Sequence, residues 1–189
     1  MFLNTALEEL LKNKPFFIFL LLFSVIFKKS FVFLLCMSQE SLLKSLEEKG
    51  VAHELITFKE SVKDSKSSAT ASKLDLSKIV KTVLFLNKDG VVCSAIIRST
   101  ERVSKSKVKS VLDTSKLELI KFDDVIKHVG FPAGGVPPFG YDALFVVDSA
   151  LGDDEVVLVG GGTIHSLLKL KIGDIKSLID CVVGDIKQD

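Results

Sequence analysis

One lysine and two glycine-rich segments carry the chemistry this sequence can offer. Lys81 is the only charge in the run Ile79–Leu86, IVKTVLFL. Strand alternation puts Ile79, Lys81, Val83 and Phe85 on one face and Val80, Thr82, Leu84 and Leu86 on the other. Thr82 apart, every neighbour is apolar. A buried, unpaired ammonium is costly to desolvate and answers by shifting its pKa. A lysine at a sheet edge instead lays its stem on apolar surface and carries its charge to water. The run is compatible with either.

The second feature is Gly130–Gly140, GFPAGGVPPFG. It holds Gly130, Gly134, Gly135 and Gly140 of the chain's 12 glycines and Pro132, Pro137 and Pro138 of its 4 prolines. Glycine admits positive φ and close backbone approach. Proline fixes φ and removes an N–H donor, and it pushes the residues before it, here Phe131, Val136 and Pro137, toward extended geometry. Such a segment is either a stiff loop offering bare peptide groups to a ligand or a demanding chain reversal. The third feature, GGGT (Gly160–Thr163), follows the strand-like EVVLV. It reads as a tight turn or as a place where another backbone or a ligand comes close. Neither segment is a phosphate loop, since both GxGxxG and GK[ST] are missing.

Other chemistries are thin. Cys36, Cys93 and Cys181 are far apart with no CxxC pair, and His53, His128 and His165 are scattered, so neither a zinc site nor a disulfide framework is indicated. The odd cysteine count fits a reducing compartment. Asp123/Asp124 and Asp153/Asp154/Glu155 read as helix-start and turn residues. Lys105, Lys107 and Lys109 read as a solvated face that could also touch phosphate. A net charge of +1 leaves no global basic field, so any nucleic-acid contact must be local.

The elements that would position these residues are short and mixed. Ser38 or Ser41 caps a helix to about Lys49, ended by Gly50. HELITF (53–58) alternates as a strand, 59–68 is a polar loop, and ATASKLDL (69–76) is a short helix. Ile79–Leu86 and Val91–Arg98 form a hairpin around NKDG. Ser104–Leu112 reads as a helix, Leu117–Phe122 as a strand or short extended piece, and FDDVIKHVG as a helix ended by Gly130. ALFVVD, EVVLVGG and SLLKL are strands, IGDIKSLI is a helix and CVVGDI a tail. The expected class is α+β with a mostly antiparallel or mixed sheet.

Residues 1–36 stand apart. Pro15–Phe27, PFFIFLLLFSVIF, is uncharged but short of the roughly 20 residues a membrane span needs. It has the length of a signal-peptide core, yet Glu8 and Glu9 spoil a basic start and no small-x-small site follows. Met37 opens MSQESLLKSLEEKG, a natural start for a soluble domain. The expected division is a leader at 1–36 (upstream extension, signal or anchor) and a working domain at 37–189.

The order of the three features resembles the YbaK-type aminoacyl-tRNA deacylases, freestanding relatives of the editing domain inserted in bacterial prolyl-tRNA synthetases. The matching stretches are Ile79–Phe85, Gly130–Gly140, Phe145–Leu151, Val157–Thr163 and Leu168–Ile179, and the likeness runs from about Ser38 to Ile186. The resemblance implies an α+β domain with a curved mixed β-sheet and surrounding helices. It implies hydrolysis of the ester on mischarged tRNA, most often cysteine or alanine on proline tRNA. It assigns the catalytic role to Lys81, which would position the 3′ end or offset developing negative charge. It assigns substrate binding to Gly134, Gly135, Val136, Pro137 and Pro138, to the strand-end Gly161 and Gly162, and to Phe58 as an aromatic that either lines the pocket or serves the core. No metal or organic cofactor is implied.

The expected partner is the 3′ end of aminoacyl-tRNA, supported by prolyl-tRNA synthetase or an elongation factor. The expected location is cytoplasmic, with the leader leaving membrane or organelle association open. Two other readings stand beside this one: a non-catalytic module that binds aminoacyl-tRNA or a nucleotide, and a membrane-tethered interaction protein. The chain departs from the family in its short connection, Tyr141–Asp142, before ALFVVD. It also lacks an acidic residue in Ile164–Leu167, which bears on amino-acid specificity.

Overall fold

A computed structural model of the chain describes residues 38–62 and 76–189. The leader at 1–36, the outer part of the polar loop and all but the last residue of the helix expected at 69–76 lie outside the described residues. Helix α1 (Gln39–Glu48) opens on a reciprocal Ser38–Ser41 capping box and buries Leu42 and Leu46 on one face. Strand β1 (Glu54–Thr57) follows. A 3-10 turn at Leu76–Lys78 leads into β2 (Val80–Leu86). The chain reverses where Asn87 Oδ1 accepts from the N–H groups of Asp89 and Val91 at 2.9 Å each, and returns as β3 (Val92–Arg98).

Helix α2 (Lys105–Val111) is capped by Ser104. The two-residue strand β4 (Glu118–Leu119) is followed by a 3-10 turn, Phe122–Asp124, and helix α3 (Val125–Val129). After the Gly/Pro loop come β5 (Leu144–Asp148), β6 (Val156–Gly160), β7 (Ser166–Lys171), α4 (Ile172–Leu178) and β8 (Cys181–Gly184).

The strands form two sheets, β1-β7-β6 and β4-β2-β3-β5-β8. The first is antiparallel throughout. In the second, β4, β2 and β3 pair antiparallel, whereas β3-β5 and β5-β8 are parallel. A parallel bridge between Ile79 and Leu158 ties the sheets together. The fold is the expected α+β arrangement of mixed sheet and flanking helices. Alternation along β2 is realised as read: Val80 and Leu84 enter the main core, while Phe85 enters a second core with Cys93, Ile97 and Val108.

Two elements differ from the sequence pattern. The expected strand Leu117–Phe122 shrinks to two residues because the chain turns into the 3-10 segment at Phe122. The expected tail CVVGDI is a strand. It covers the edge of β5, and the Asp148 carboxylate fixes it by accepting from the N–H of Ile186 at 3.0 Å. No helix among the described residues is long and apolar enough to cross a membrane.

Candidate active site

Strand β2 is paired with β3 over its whole length, but its other edge is covered only at the ends. The Ile79–Leu158 bridge closes one end, and β4, opposite Phe85 and Leu86, closes the other. The Leu84 carbonyl on this edge accepts from the Ile120 N–H at 3.0 Å, whereas the Ile79 carbonyl turns to β3 and accepts from Ser99 at 2.8 Å. Hydrogen bonds alternate in direction along a strand, so the peptide groups of Thr82 face the open edge.

A cavity of about 430 Å³ fills this gap. It is lined by Ile79–Leu84 of β2, by Ala133, Gly134 and Val136 of the Gly/Pro loop, and by Val159 and Gly160 of β6. Val62 and Leu167 join them, with Leu119, Ile120, Phe122 and Val125 completing the lining. Its volume suits a small ligand. Among the described residues, Lys81 and Thr82 are the lining residues with polar side chains, and no histidine, cysteine or carboxylate is among them.

The wall opposite β2 is backbone packed on backbone. The Gly135 N–H donates to the Pro132 carbonyl at 2.9 Å, closing a tight turn, and the Gly135 carbonyl accepts from the Gly162 N–H at 2.8 Å. A Cβ on Gly135 would lie 2.5 Å from the carbonyl carbon of Thr163, and one on Gly160 would collide with the Val136 carbonyl. The two glycine segments are thus a matched pair, each glycine making room for the other strand of backbone. Gln39 secures the second segment from α1, its Nε2 donating to the Gly161 carbonyl at 2.7 Å and to Ser166 Oγ at 2.6 Å. Buried Tyr141 secures the first, its hydroxyl 2.9 Å from Ser94 Oγ and its ring against Phe131 and Phe145.

Lys81 is half-buried, with Nζ donating to the carbonyls of Ser99 at 3.1 Å and Glu101 at 2.6 Å. Burial pulls its pKa below the ordinary lysine value of 10.5. The Glu101 carboxylate opposes that shift and the Arg102 guanidinium adds to it. Its hydrogen-bond partners are dipoles, which orient the cation without neutralising it.

Among the residues singled out in the sequence, Lys81, Gly134 and Val136 meet in the cavity lining. Gly135 sits behind it against Thr163, and Gly162 packs on Gln39 and Phe131. Gly161 donates to the Ser166 carbonyl at 3.1 Å. Pro137 and Pro138 are buried between Val136 and the Tyr141 anchor. Phe58 packs against the small cluster of Val62, Ile79, Leu158 and Leu167, its N–H donating to the His165 carbonyl at 2.8 Å. Pro137, Pro138, Gly161, Gly162 and Phe58 therefore support the cavity without lining it. Sequence reasoning passed over Thr82, Gly160, Leu119 and Phe122 as lining residues and Gln39 as a support. Thr82 carried a signal as the one polar residue on its strand face. Gly160 lay within a segment already noted for close approach.

A second, larger concavity of about 630 Å³ is lined by Lys78, Gly152–Leu158 and Lys169. Three of its charged groups are already engaged, Glu155 with Arg98 at 2.7 Å, Asp153 with Lys176 at 2.6 Å and Lys169 with Glu54 at 2.8 Å, while Lys78 and Asp154 complete its charged lining. It offers no shielded polar group, and the 430 Å³ cavity is the better site.

Residues 59–178 match the family model described as aminoacyl-tRNA editing domain. Among curated proteins, the proline–tRNA ligase of Thermotoga neapolitana is 36% identical over 85 residues, 45% of this chain and 15% of that one. The proline–tRNA ligase of Kosmotoga olearia is 28% identical over 104 residues, 55% of this chain and 16% of that one. The chain thus corresponds to a small part of these relatives. Among solved structures, a candidate trans-editing enzyme for prolyl tRNA synthetase superposes with a TM-score of 0.70 at 23% identity, covering 80% of this chain and 97% of that one. A hypothetical protein superposes with a TM-score of 0.72 at 24% identity, covering 78% and 99%.

Proposed function

The chain belongs to the aminoacyl-tRNA editing domain family, and from that premise we propose that it is a trans-editing deacylase. It hydrolyses the ester joining a wrong amino acid to tRNA, with cysteine or alanine on proline tRNA as the leading substrates. The working domain is residues 37–189.

One observation carries this reading: the open edge of β2 faces a wall of glycine backbone, with Lys81 in the lining of the cavity between them. A wall whose shape is set on folding admits a small side chain and resists a larger one better than mobile side chains do. An ammonium has three N–H donors, and two go to the Ser99 and Glu101 carbonyls. The remaining donor capacity serves the 3′ end of the substrate, and the retained charge offsets the negative charge that develops on the ester oxygen under attack. Among the described residues the lining holds no histidine or carboxylate that would activate the Thr82 hydroxyl, so we assign the attack to water oxygen or, for cysteine, to the substrate's own thiol. The bond between the acyl carbon and the ribose oxygen breaks, and that oxygen takes up a proton to restore the tRNA hydroxyl.

The test is a panel of mischarged tRNAs incubated with the purified chain, beginning with cysteine and alanine on proline tRNA. Release of the amino acid supports the reading. A mobility shift of the tRNA without release would make the protein a binding module and overturn it. Residues 37–189 expressed alone should fold and deacylate; an insoluble product would show that the leader is needed.

A further inference from the structure

The mouth of the cavity is unlike its interior. Leu119 and Phe122 line it, yet they are 57% and 62% exposed. Ile126, four residues on from Phe122, is 52% exposed. A monomer gains nothing by holding an aromatic ring in water beside a shielded cavity, and an exposed aromatic at such a point suits a flat apolar group.

The charges nearby narrow the choice. Lys121 precedes Phe122, and Asp123 and Asp124 follow it. Asp124 is tied to Lys127 at 2.6 Å. Lys121 and Lys127 balance the two carboxylates, so the patch has no net positive charge to draw a phosphate and leaves room for a neutral group. The substrate has such a group at the required place. On the deacylase reading, an ester seated by Lys81 leaves the base on the same ribose for the exposed rim at Leu119 and Phe122.

Resting on the deacylase reading, we infer that Phe122, with Leu119 beside it, is the stacking platform for the terminal adenine of the acceptor end. It is a positioning residue that binds the base and leaves the chemistry to the cavity. Every base has a π-face, and stacking on an aromatic side chain is worth enough that truncating the ring weakens binding by roughly tenfold or more.

The chain has no tryptophan, so Phe122→Trp installs a lone reporter at the platform. In the full chain, its fluorescence should be quenched by the RNA trinucleotide CCA and not by the same RNA with an abasic terminal sugar. Equal response to both RNAs, or to neither, overturns the inference whatever the enzyme's activity. In deacylation, Phe122→Ala should raise KM for mischarged tRNA about tenfold more than it raises KM for a simple aminoacyl ester lacking a base, and Phe122→Trp should restore it. A wild type that hydrolyses mischarged tRNA while Phe122→Ala affects both substrates alike would overturn the platform alone. A change in oligomeric state on Phe122→Ala would assign the patch to a second copy of the chain and likewise overturn it. A wild type that releases no amino acid would defeat the deacylase reading, while the quenching experiment still decides whether a base stacks.

Discussion

Two hollows meet at the Ile79–Leu158 bridge, and β6 runs from one into the other. Val156–Leu158 line the larger, and Val159 and Gly160 the smaller. The larger is walled largely by charged side chains, most of which have found partners, Glu155 with Arg98, Asp153 with Lys176 and Lys169 with Glu54. A ligand entering there would have to break ion pairs and order flexible stems. The smaller is walled by peptide groups and apolar side chains, and Lys81, the one cation in its lining among the described residues, is held by carbonyls rather than carboxylates. The comparison teaches that the proposed chemistry rests on a wall whose shape is set by backbone packing, and that volume is a poor guide to it.

The sharpest way to break the comparison is to remove that cation. Lys81→Ala should lower kcat by ~10²–10³, the usual cost of losing one electrostatic contact to the reacting oxygen, with Tm changed little. Unchanged deacylation by a folded variant would remove Lys81 from the mechanism. A pair of glycine substitutions comes next. Gly160→Ala drives a methyl into the Val136 carbonyl, and a displacement of the wall by about 1 Å should cost ~10²-fold in activity. Gly152→Ala, in the larger hollow, meets only the Glu155 side chain at 3.4 Å and should change stability by less than about 0.5 kcal/mol. Equal losses of activity in the two would mean that the backbone wall has no special part.

A smaller effect lies in the pH profile. The cation is the working form of Lys81, and burial holds its pKa below 10.5. Rates corrected for uncatalysed hydrolysis should therefore fall with rising pH earlier than an ordinary lysine would allow. The same shift acts oppositely on stability. The folded state binds this proton less tightly than the unfolded chain does, so the cost is present below the folded pKa and fades as pH rises toward 10.5. A flat corrected profile up to pH 10.5 would count against the cationic role.

What could be read in the sequence was local. The β2 alternation and the NKDG reversal each follow from neighbours in the chain, and each is present in the fold. The pairing of the two glycine segments was not legible, because Gly135 touches Thr163 and Gly160 touches Val136 across a long stretch of chain. No spacing rule announces such a contact. For the same reason the sequence could not say that Ser99 and Glu101 would hold the ammonium, or that Gln39 would brace the GGG turn. Strand β8 escaped notice because parallel pairing with β5 needs no turn signal between them. Pro137 and Pro138 were read as residues that fix the backbone and bind substrate, whereas their buried position between Val136 and the Tyr141 anchor depends on contacts no spacing shows.

The smallest expected effect belongs to the larger hollow and tests whether its charges are only structural. Glu155 accepts from Arg98 Nη2 through both carboxylate oxygens, at 2.7 and 2.8 Å. Those hydrogen bonds, and then the Gly152 N–H, hold its carboxyl below the ordinary 4.5 against the opposing effect of burial. The folded state therefore prefers the carboxylate. The stability it contributes is fully present above pH 4.5 and is lost as pH falls through the lower folded pKa. Glu155→Gln keeps the shape and removes the charge. Because the pair is near the surface, the loss at neutral pH should be about 1 kcal/mol or less, a fall in Tm of roughly 2–4 °C at most. The melting temperatures of the two proteins should converge at acid pH, and deacylation at neutral pH should be the same in both. A large loss of activity in Glu155→Gln would mean that the two hollows act together, and the contrast between their walls would then no longer explain where the chemistry lies.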